Sequence, residues 1–220
     1  RVLKKIEQIV REEMDAIGGQ ELLLSALAPK ELWEKTGRWD HKVLDVLFHV
    51  PGAGDHEYAL NPTHEEIITP LMTQYVKSYR DLPFSAYQIQ TKFRNELRVK
   101  SGILRGREFL MKDLYSFHTD QADLERFYAL AQGAYMNVFE RCGLGPQTYL
   151  TYASGGTFSK YSHEYQIVLP QGEDTIYVSL EADKKGMRIA VNKEIYEAGK
   201  TECPVTGGKE FREEKASEAG

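Results

Sequence analysis

The stretch "TKFRNELRVKSGILRGREFLMKDLYSFH", residues 91–118, decides how this chain is read. Leading into it, Tyr87, Ile89, Thr91 and Phe93 alternate with Gln88, Gln90, Lys92 and Arg94. That period of two predicts a strand with one apolar and one polar face. "EFLMKDLYSF" (108–117) predicts a second strand, with Phe109, Met111, Asp113 and Tyr115 sharing a face. The segment between them, "RVKSGILRGR" (98–107), is too long and too basic for a simple turn. The two strands are predicted to pair as an antiparallel hairpin. By parity Arg94 and Glu96 share a face of the first strand.

An arginine, two acids and an aromatic ring facing one cleft could hold an anionic, ring-bearing ligand. Arg98, Lys100, Arg105 and Arg107 lie in the loop above them. A guanidinium matches phosphate oxygens as a fork, and an aromatic face stacks on a purine. The plain alternative is a solvated sheet face carrying ordinary cross-strand ion pairs, which are common and weak. The residues of the hairpin alone leave both readings open.

Outward from the hairpin the pattern is mixed. Val2, Leu3, Ile6, Ile9, Val10, Met14 and Ile17 predict an amphipathic helix stopped by Gly18-Gly19. "ELLLSAL" (21–27) predicts a buried strand, and Pro29 the start of a short helix. "VLFHV" and "HEYAL" around "PGAGD" predict another hairpin. Thr63-His-Glu-Glu66 has the form of a capping box, followed by a helical stripe from Ile67 to Val76 that Pro83 is expected to end. Asp120 is the expected cap of a long helix, with Leu124, Phe127, Tyr128, Ala131, Tyr135, Val138 and Phe139 inward and Gly143 as its stop. "TYLTYA", "EYQIVL" and "TIYVSL" predict three more strands, with Gly155-Gly156 as a bounding turn. Long helices mixed with strands, without a βαβ rhythm, predict an α+β fold built on a mostly antiparallel sheet flanked by helices.

Composition sets limits on function. The chain has 220 residues, 41% hydrophobic and 28% charged, the balance of a globular domain. A net charge of -5 predicts no strong general attraction to nucleic acid, so RNA contact must come from a local basic feature. Cys142 and Cys203 are too few for a disulfide framework and suit a reducing, cytoplasmic setting. "CPVTGG" (203–208) has one cysteine of a zinc knuckle, too few for a four-ligand site, and no metal is assigned to it. Apolar runs fall far short of the roughly 20 residues that span a bilayer. Neither a P-loop nor a dinucleotide fingerprint is present.

Phe93-Arg94-Asn95-Glu96, the variable loop and Arg107-Glu108-Phe109 resemble motif 2 of the class II aminoacyl-tRNA synthetases. "EFLMKDLYSFH" is similar to the bacterial prolyl members of that family. "GGQELLLSALAPKELWEKTGRW" (18–39) resembles their motif 1, and "LNPTHEEIIT" (60–69) their proline-recognition loop. "SHEYQIVL" with "GEDTI" resembles the sequence that follows, so the likeness runs from Arg1 to about Ile176. It reappears at "ASEAG" (216–220).

The resemblance implies ATP-dependent activation of L-proline to prolyl-adenylate, then transfer to tRNA(Pro). It implies that Arg94 contacts the α-phosphate and the amino-acid carboxylate, that Glu96 accepts from the adenine amino group, and that Phe109 stacks on the ring. Arg105, and after it Arg107, would reach ATP phosphates or the tRNA acceptor end, with Mg²⁺ on the triphosphate. Thr63 and Glu65 fall on the proline pocket, Glu65 to pair with the secondary ammonium, and Asp113, Tyr115 and His118 would line it. Thr63 also reads as an N-cap, and His118 as a structural histidine at a strand end.

Implied too are a homodimer through motif 1 and a catalytic core over 1–180. Residues 181–215 would form a short insertion, since about 40 residues between Ile176 and Ala216 are too few for an editing domain of about 50 or more. Residues 216–220 would begin the return to the core, with Glu218 at the family's Glu-x-Gly segment and motif 3 and an anticodon-binding domain expected beyond Gly220. Ser25 departs from the family, which has proline there at the dimer interface. Other readings are a threonyl- or seryl-type enzyme and a catalytically inactive synthetase-like binding module.

Overall fold

In the computed structural model, residues 1–99, 102, 105–155 and 161–218 are described, with the backbone alone at 161 and 218. Lys100, Gly156 and the side chain of Glu218, named above, lie outside the described residues. The chain forms two compact units, 1–135 and 136–220.

In the first unit, α1 (Val2–Ala16) buries Met14 against Tyr87 and Ala134, with Val10 and Ile17 beside it. Its first turns differ from expectation, because Val2, Leu3 and Ile6 stay exposed. Gly18, at φ +86°, ends the helix, and the Gly19 N–H bonds back to the Met14 carbonyl. The segment 21–27 is not one buried strand. It splits into β1 (Gln20–Glu21) and β2 (Leu27–Pro29), and Leu23 is 81% exposed. Between the two, the Ser25 hydroxyl bonds the Leu27 carbonyl at 2.6 Å and accepts from its N–H, folding the backbone into a local turn.

Helix α2 (Lys30–Lys35) follows Pro29 as predicted. The hairpin of β3 (Phe48–Pro51) and β4 (Glu57–Leu60) forms and takes β2 onto its other edge. This small sheet closes over Ala28, Trp33, Leu47 and Ala59.

Helix α3 (Glu65–Tyr75) buries Ile68 and Met72. The expected capping box is absent. His64 is the N-cap, no side chain caps the first turn, and the Glu66 carboxylate turns instead to Thr36 and Arg38. Nor does Pro83 end the helix, which stops at Tyr75 with Tyr75 71% exposed.

The central hairpin is β5 (Phe84–Phe93) with β6 (Glu108–Phe117), in register from Phe84↔Phe117 to Phe93↔Glu108. β1 runs parallel to β5 on its other edge. Helix α4 (Gln121–Arg141) starts as predicted, with Asp120 Oδ1 accepting the Asp123 N–H at 2.8 Å. It buries Ala131 and Ala134, whereas Leu124 and Tyr128, expected inward, are 37% and 47% exposed. Small residues let α4 approach closely, and its larger ones flank the contact.

The second unit is a closed barrel of β7 (Thr148–Ser154), β8 (Tyr161–Val168), β9 (Asp174–Ser179), β10 (Ile189–Asn192) and β11 (Phe211–Glu218), with α5 (Leu180–Lys184) after β9. Its order is β10-β7-β8-β11-β9, around Tyr149, Ile176, Val178, Ala190 and Ala216. Strands β10 and β11 arise from the weakly patterned stretch after residue 181. Closure pairs strands that would otherwise be open edges. Among the described residues the strand pairings are antiparallel except β1–β5 and β7–β10, so the α+β, largely antiparallel expectation holds, though across three sheets. No helix among the described residues is long and apolar enough to cross a membrane.

Candidate adenylate and amino-acid site

Antiparallel register puts Lys92 opposite Phe109, Gln90 opposite Met111, Gln88 opposite Asp113 and Ala86 opposite Tyr115. Paired residues project to the same face, so the polar face of β5 and the Phe109–Tyr115 face of β6 make one surface. At about 3.4 Å per residue it runs about 20 Å from Phe109 to Tyr115.

At its first end, the Arg94 guanidinium lies 5.3 Å from the centre of the Phe109 ring. A cation on an aromatic face is a favourable contact that leaves the fork edge free for phosphate. Arg94 and Glu96 do not share a strand face as parity predicted, because β5 ends at Phe93. They sit in a tight turn, with the Glu96 N–H bonded to the Arg94 carbonyl at 2.7 Å and the Arg107 side chain bonded to the Glu96 carbonyl at 3.1 Å. The Arg94 N–H bonds the Arg107 carbonyl at 2.9 Å, which carries the hairpin one step further. Arg105 and Arg107 are exposed on the loop.

At the other end, the Thr63 hydroxyl donates to the Glu65 carboxylate and lies 3.5 Å from the Tyr115 hydroxyl. Tyr115 Oη accepts the His64 N–H at 3.0 Å. The structure therefore brings Thr63, Glu65 and Tyr115 directly together. Burial pushes the Tyr115 phenol well above its ordinary range, so it stays a neutral hydroxyl. Arg38 reaches Glu65 at 3.7 Å and Glu66 at 2.9 Å, which places a cation beside the loop.

His118 is placed elsewhere. Its Nδ1 meets Asp123 at 2.7 Å in the first turn of α4, and its ring tilts against Phe127. Its Nε2 is buried without a hydrogen-bond partner.

Beneath the Thr63–Glu65 loop lies a buried polar network that sequence reasoning missed. Lys92 and His64 are fully buried and Gln88 nearly so. Lys92 Nζ is 2.6 Å from His64 Nδ1 and 2.8 Å from Asp113. Gln88 donates to Asp113 at 2.9 Å and accepts the Leu24 N–H at 3.3 Å. His64 Nε2 and Asn61 Nδ2 both reach the Ser25 carbonyl, at 3.0 and 2.8 Å. A proline at position 25 would present the same carbonyl, so Ser25 leaves this part of the network intact. The signal was available in the alternation. Lys92 shares a face with Asp113, but lysine is so rarely buried that the polar face read as open to solvent.

Among the described residues no group of three or more His, Cys, Asp or Glu side chains could hold a metal ion. The geometry instead offers cations and N–H donors to anionic oxygens at one end, and a carboxylate with hydroxyls to an amine at the other.

An α+β chain with this arginine- and phenylalanine-bearing hairpin is of the class II synthetase type. The family model for the tRNA synthetase class II core domain (G, H, P, S and T) matches residues 48–208, and the chain belongs to that family. It is 48% identical over 178 residues to the proline–tRNA ligase of Synechococcus elongatus, covering 80% of this chain and 30% of that protein. It is also 48% identical over 183 residues to that of Geobacillus sp. (strain WCH70), covering 83% and 32%. The chain thus spans about a third of the length of the curated relatives it matches. Its fold matches the Giardia lamblia prolyl-tRNA synthetase in complex with prolyl-adenylate at a TM-score of 0.66, with 19% identity, over 96% of this chain and 42% of that one.

Proposed function

We propose that this chain carries the ATP- and proline-facing part of a proline–tRNA ligase. The observation that carries the reading is the single hairpin face with Arg94 on Phe109 at one end and Thr63, Glu65 and Tyr115 at the other. An aminoacyl-adenylate carries a purine and a phosphate on one side and an ammonium on the other, and this surface offers Phe109 with Arg94 at one end and Glu65 at the other. The high identity to proline–tRNA ligases over the same stretch supports proline as the amino acid.

The proposed first step is attack of a proline carboxylate oxygen on the α-phosphorus of ATP. The new O–P bond forms as the bond to the bridging oxygen breaks, and pyrophosphate leaves with that electron pair. Such a displacement needs positioning and charge stabilisation and no protein nucleophile. Arg94 stabilises charge on the α-phosphate and holds the carboxylate. Phe109 stacks on adenine, Glu96 accepts from its amino group, and Arg105 reaches outer phosphates or the tRNA acceptor end. Magnesium arrives as part of the ATP complex, bound chiefly by phosphate oxygens.

Glu65, oriented by Thr63, pairs with the secondary ammonium, and Tyr115 and Asp113 line the floor. In the second step a ribose hydroxyl of the tRNA(Pro) terminus attacks the prolyl carbonyl and releases AMP. Dimerisation through the motif 1 segment and a cytoplasmic setting belong to the same reading.

ATP–pyrophosphate exchange by the full-length gene product tests it. Exchange should depend on proline. Exchange with threonine or serine but not proline would point to a related synthetase, and none with any amino acid to an inactive binding module.

A further inference from the structure

We infer that Lys92 is a positioning residue for amine recognition, acting through His64 on the loop that carries Thr63 and Glu65. The inference rests on the reading of this face as a proline-activating site. A fully buried ammonium is costly unless it is paired and hydrogen-bonded, and here it has His64 Nδ1 as hydrogen-bond partner at 2.6 Å and the Asp113 carboxylate as ion-pair partner at 2.8 Å. His64 Nε2 lies 3.0 Å from the Ser25 carbonyl, an acceptor, and 3.3 Å from the Asn61 amide nitrogen, which donates to that same carbonyl. Nδ1 faces the Lys92 ammonium, a donor, so Nε2 carries the proton and Nδ1 presents its lone pair to Lys92. Burial first, and Lys92 next, push the His64 imidazole below its ordinary range, consistent with a neutral ring.

The consequence lies in the chain. His64 separates Thr63 from Glu65, and its own N–H is held by Tyr115 Oη. The Phe93 N–H adds a bond to the Asn61 carbonyl at 3.2 Å. Backbone and side chain of the loop are thus pinned to the hairpin at separate points, and Lys92 supplies the pin on the side chain between the two pocket residues. Lys92 stands opposite Phe109 in register, yet its stem carries the ammonium along the strand to Asp113. Its charge therefore acts at the amine end. The same geometry changes the part of Asp113, whose oxygens are engaged by Lys92 and Gln88. Asp113 holds the lysine, and Glu65 is left to meet the substrate ammonium.

The test is exchange kinetics with proline and ATP varied separately in the full-length protein. Lys92→Met keeps an unbranched stem, and Lys92→Met/Asp113→Asn removes both buried charges where the single change would leave one unpaired. In both variants KM for proline should rise roughly tenfold or more, with KM for ATP within about twofold. An unchanged KM for proline, or equal rises in both constants, overturns the inference.

A nitrogen-15 NMR measurement on His64 of the unaltered protein decides independently of whether the variants fold. A neutral ring protonated on Nε2 between about pH 6 and 8 is expected, and an imidazolium or an Nδ1–H ring overturns the Lys92 contact. Absence of proline-dependent exchange in the unaltered protein would remove the functional reading instead, and leave the NMR result to judge the contact.

Discussion

At the scale of single residues, Lys92 and Arg94 are two cations two positions apart, on either side of the end of β5, with opposite fates. Lys92 is wholly buried and spent on internal partners, whereas Arg94 rests on the Phe109 ring with its fork edge available. A group that stabilises developing charge typically accounts for about a hundredfold to a thousandfold in rate. Arg94→Ala should therefore lower proline-dependent exchange by about a hundredfold or more while circular dichroism stays unchanged. Full activity in that variant would contradict the role given to Arg94. The residues proposed for the ligand side come from the sequence, where the order Thr63 and Glu65 and then Arg94, Glu96 and Phe109 carries the family pattern. Lys92, His64 and Gln88 were not, because their significance is a burial that no local pattern reports.

At the scale of elements, the two faces of the central hairpin do different work. One holds the polar network, and the other packs Tyr87, Ile89 and Leu114 toward α1 and α4. Lys112 is on that second face, with its ammonium 2.6 Å from the Tyr135 hydroxyl and 4.1 Å from the ring centre. Burial pushes its pKa from 10.5 down to about 8. Below about pH 8 the lysine is charged in both folded and unfolded chains, and the folded state bears the whole cost of burying the charge. Between pH 8 and 10.5 the unfolded chain binds more protons than the folded one, so this group's contribution grows more favourable as pH rises.

Lys112→Met should accordingly gain most relative to the parent chain below about pH 8, by at most on the order of 3 kcal/mol. Tyr135 offsets part of the lysine's cost by about 1–2 kcal/mol. Urea unfolding of both proteins across pH measures the difference. A gain that stays flat or widens toward pH 10 would contradict this account.

Helices and hairpins with strong periodicity were legible at this scale, from α1 to α4 and β5 with β6. The capping box at Thr63 failed because Glu66 found better partners in Thr36 and Arg38. The strand expected over residues 21–27 failed because the Ser25 side chain competes for the backbone.

At the scale of the whole chain, class was legible and architecture only partly so. The order of strands and long helices was enough for α+β, but not for three separate sheets or for barrel closure through β10 and β11. Those strands come from short segments, and their pairing is long-range, which no local period encodes. A net charge of -5 fits a site whose affinity comes from a few placed cations rather than from a general basic surface.

The central claim is that one hairpin face binds an aminoacyl-adenylate end to end. The most direct measurement is a crystal structure of the full-length gene product with a non-reactive prolyl-adenylate analogue. The account predicts adenine stacked on Phe109, the phosphate mimic on Arg94 and the proline nitrogen on Glu65. An analogue bound away from this face, or reversed along it, would contradict the account.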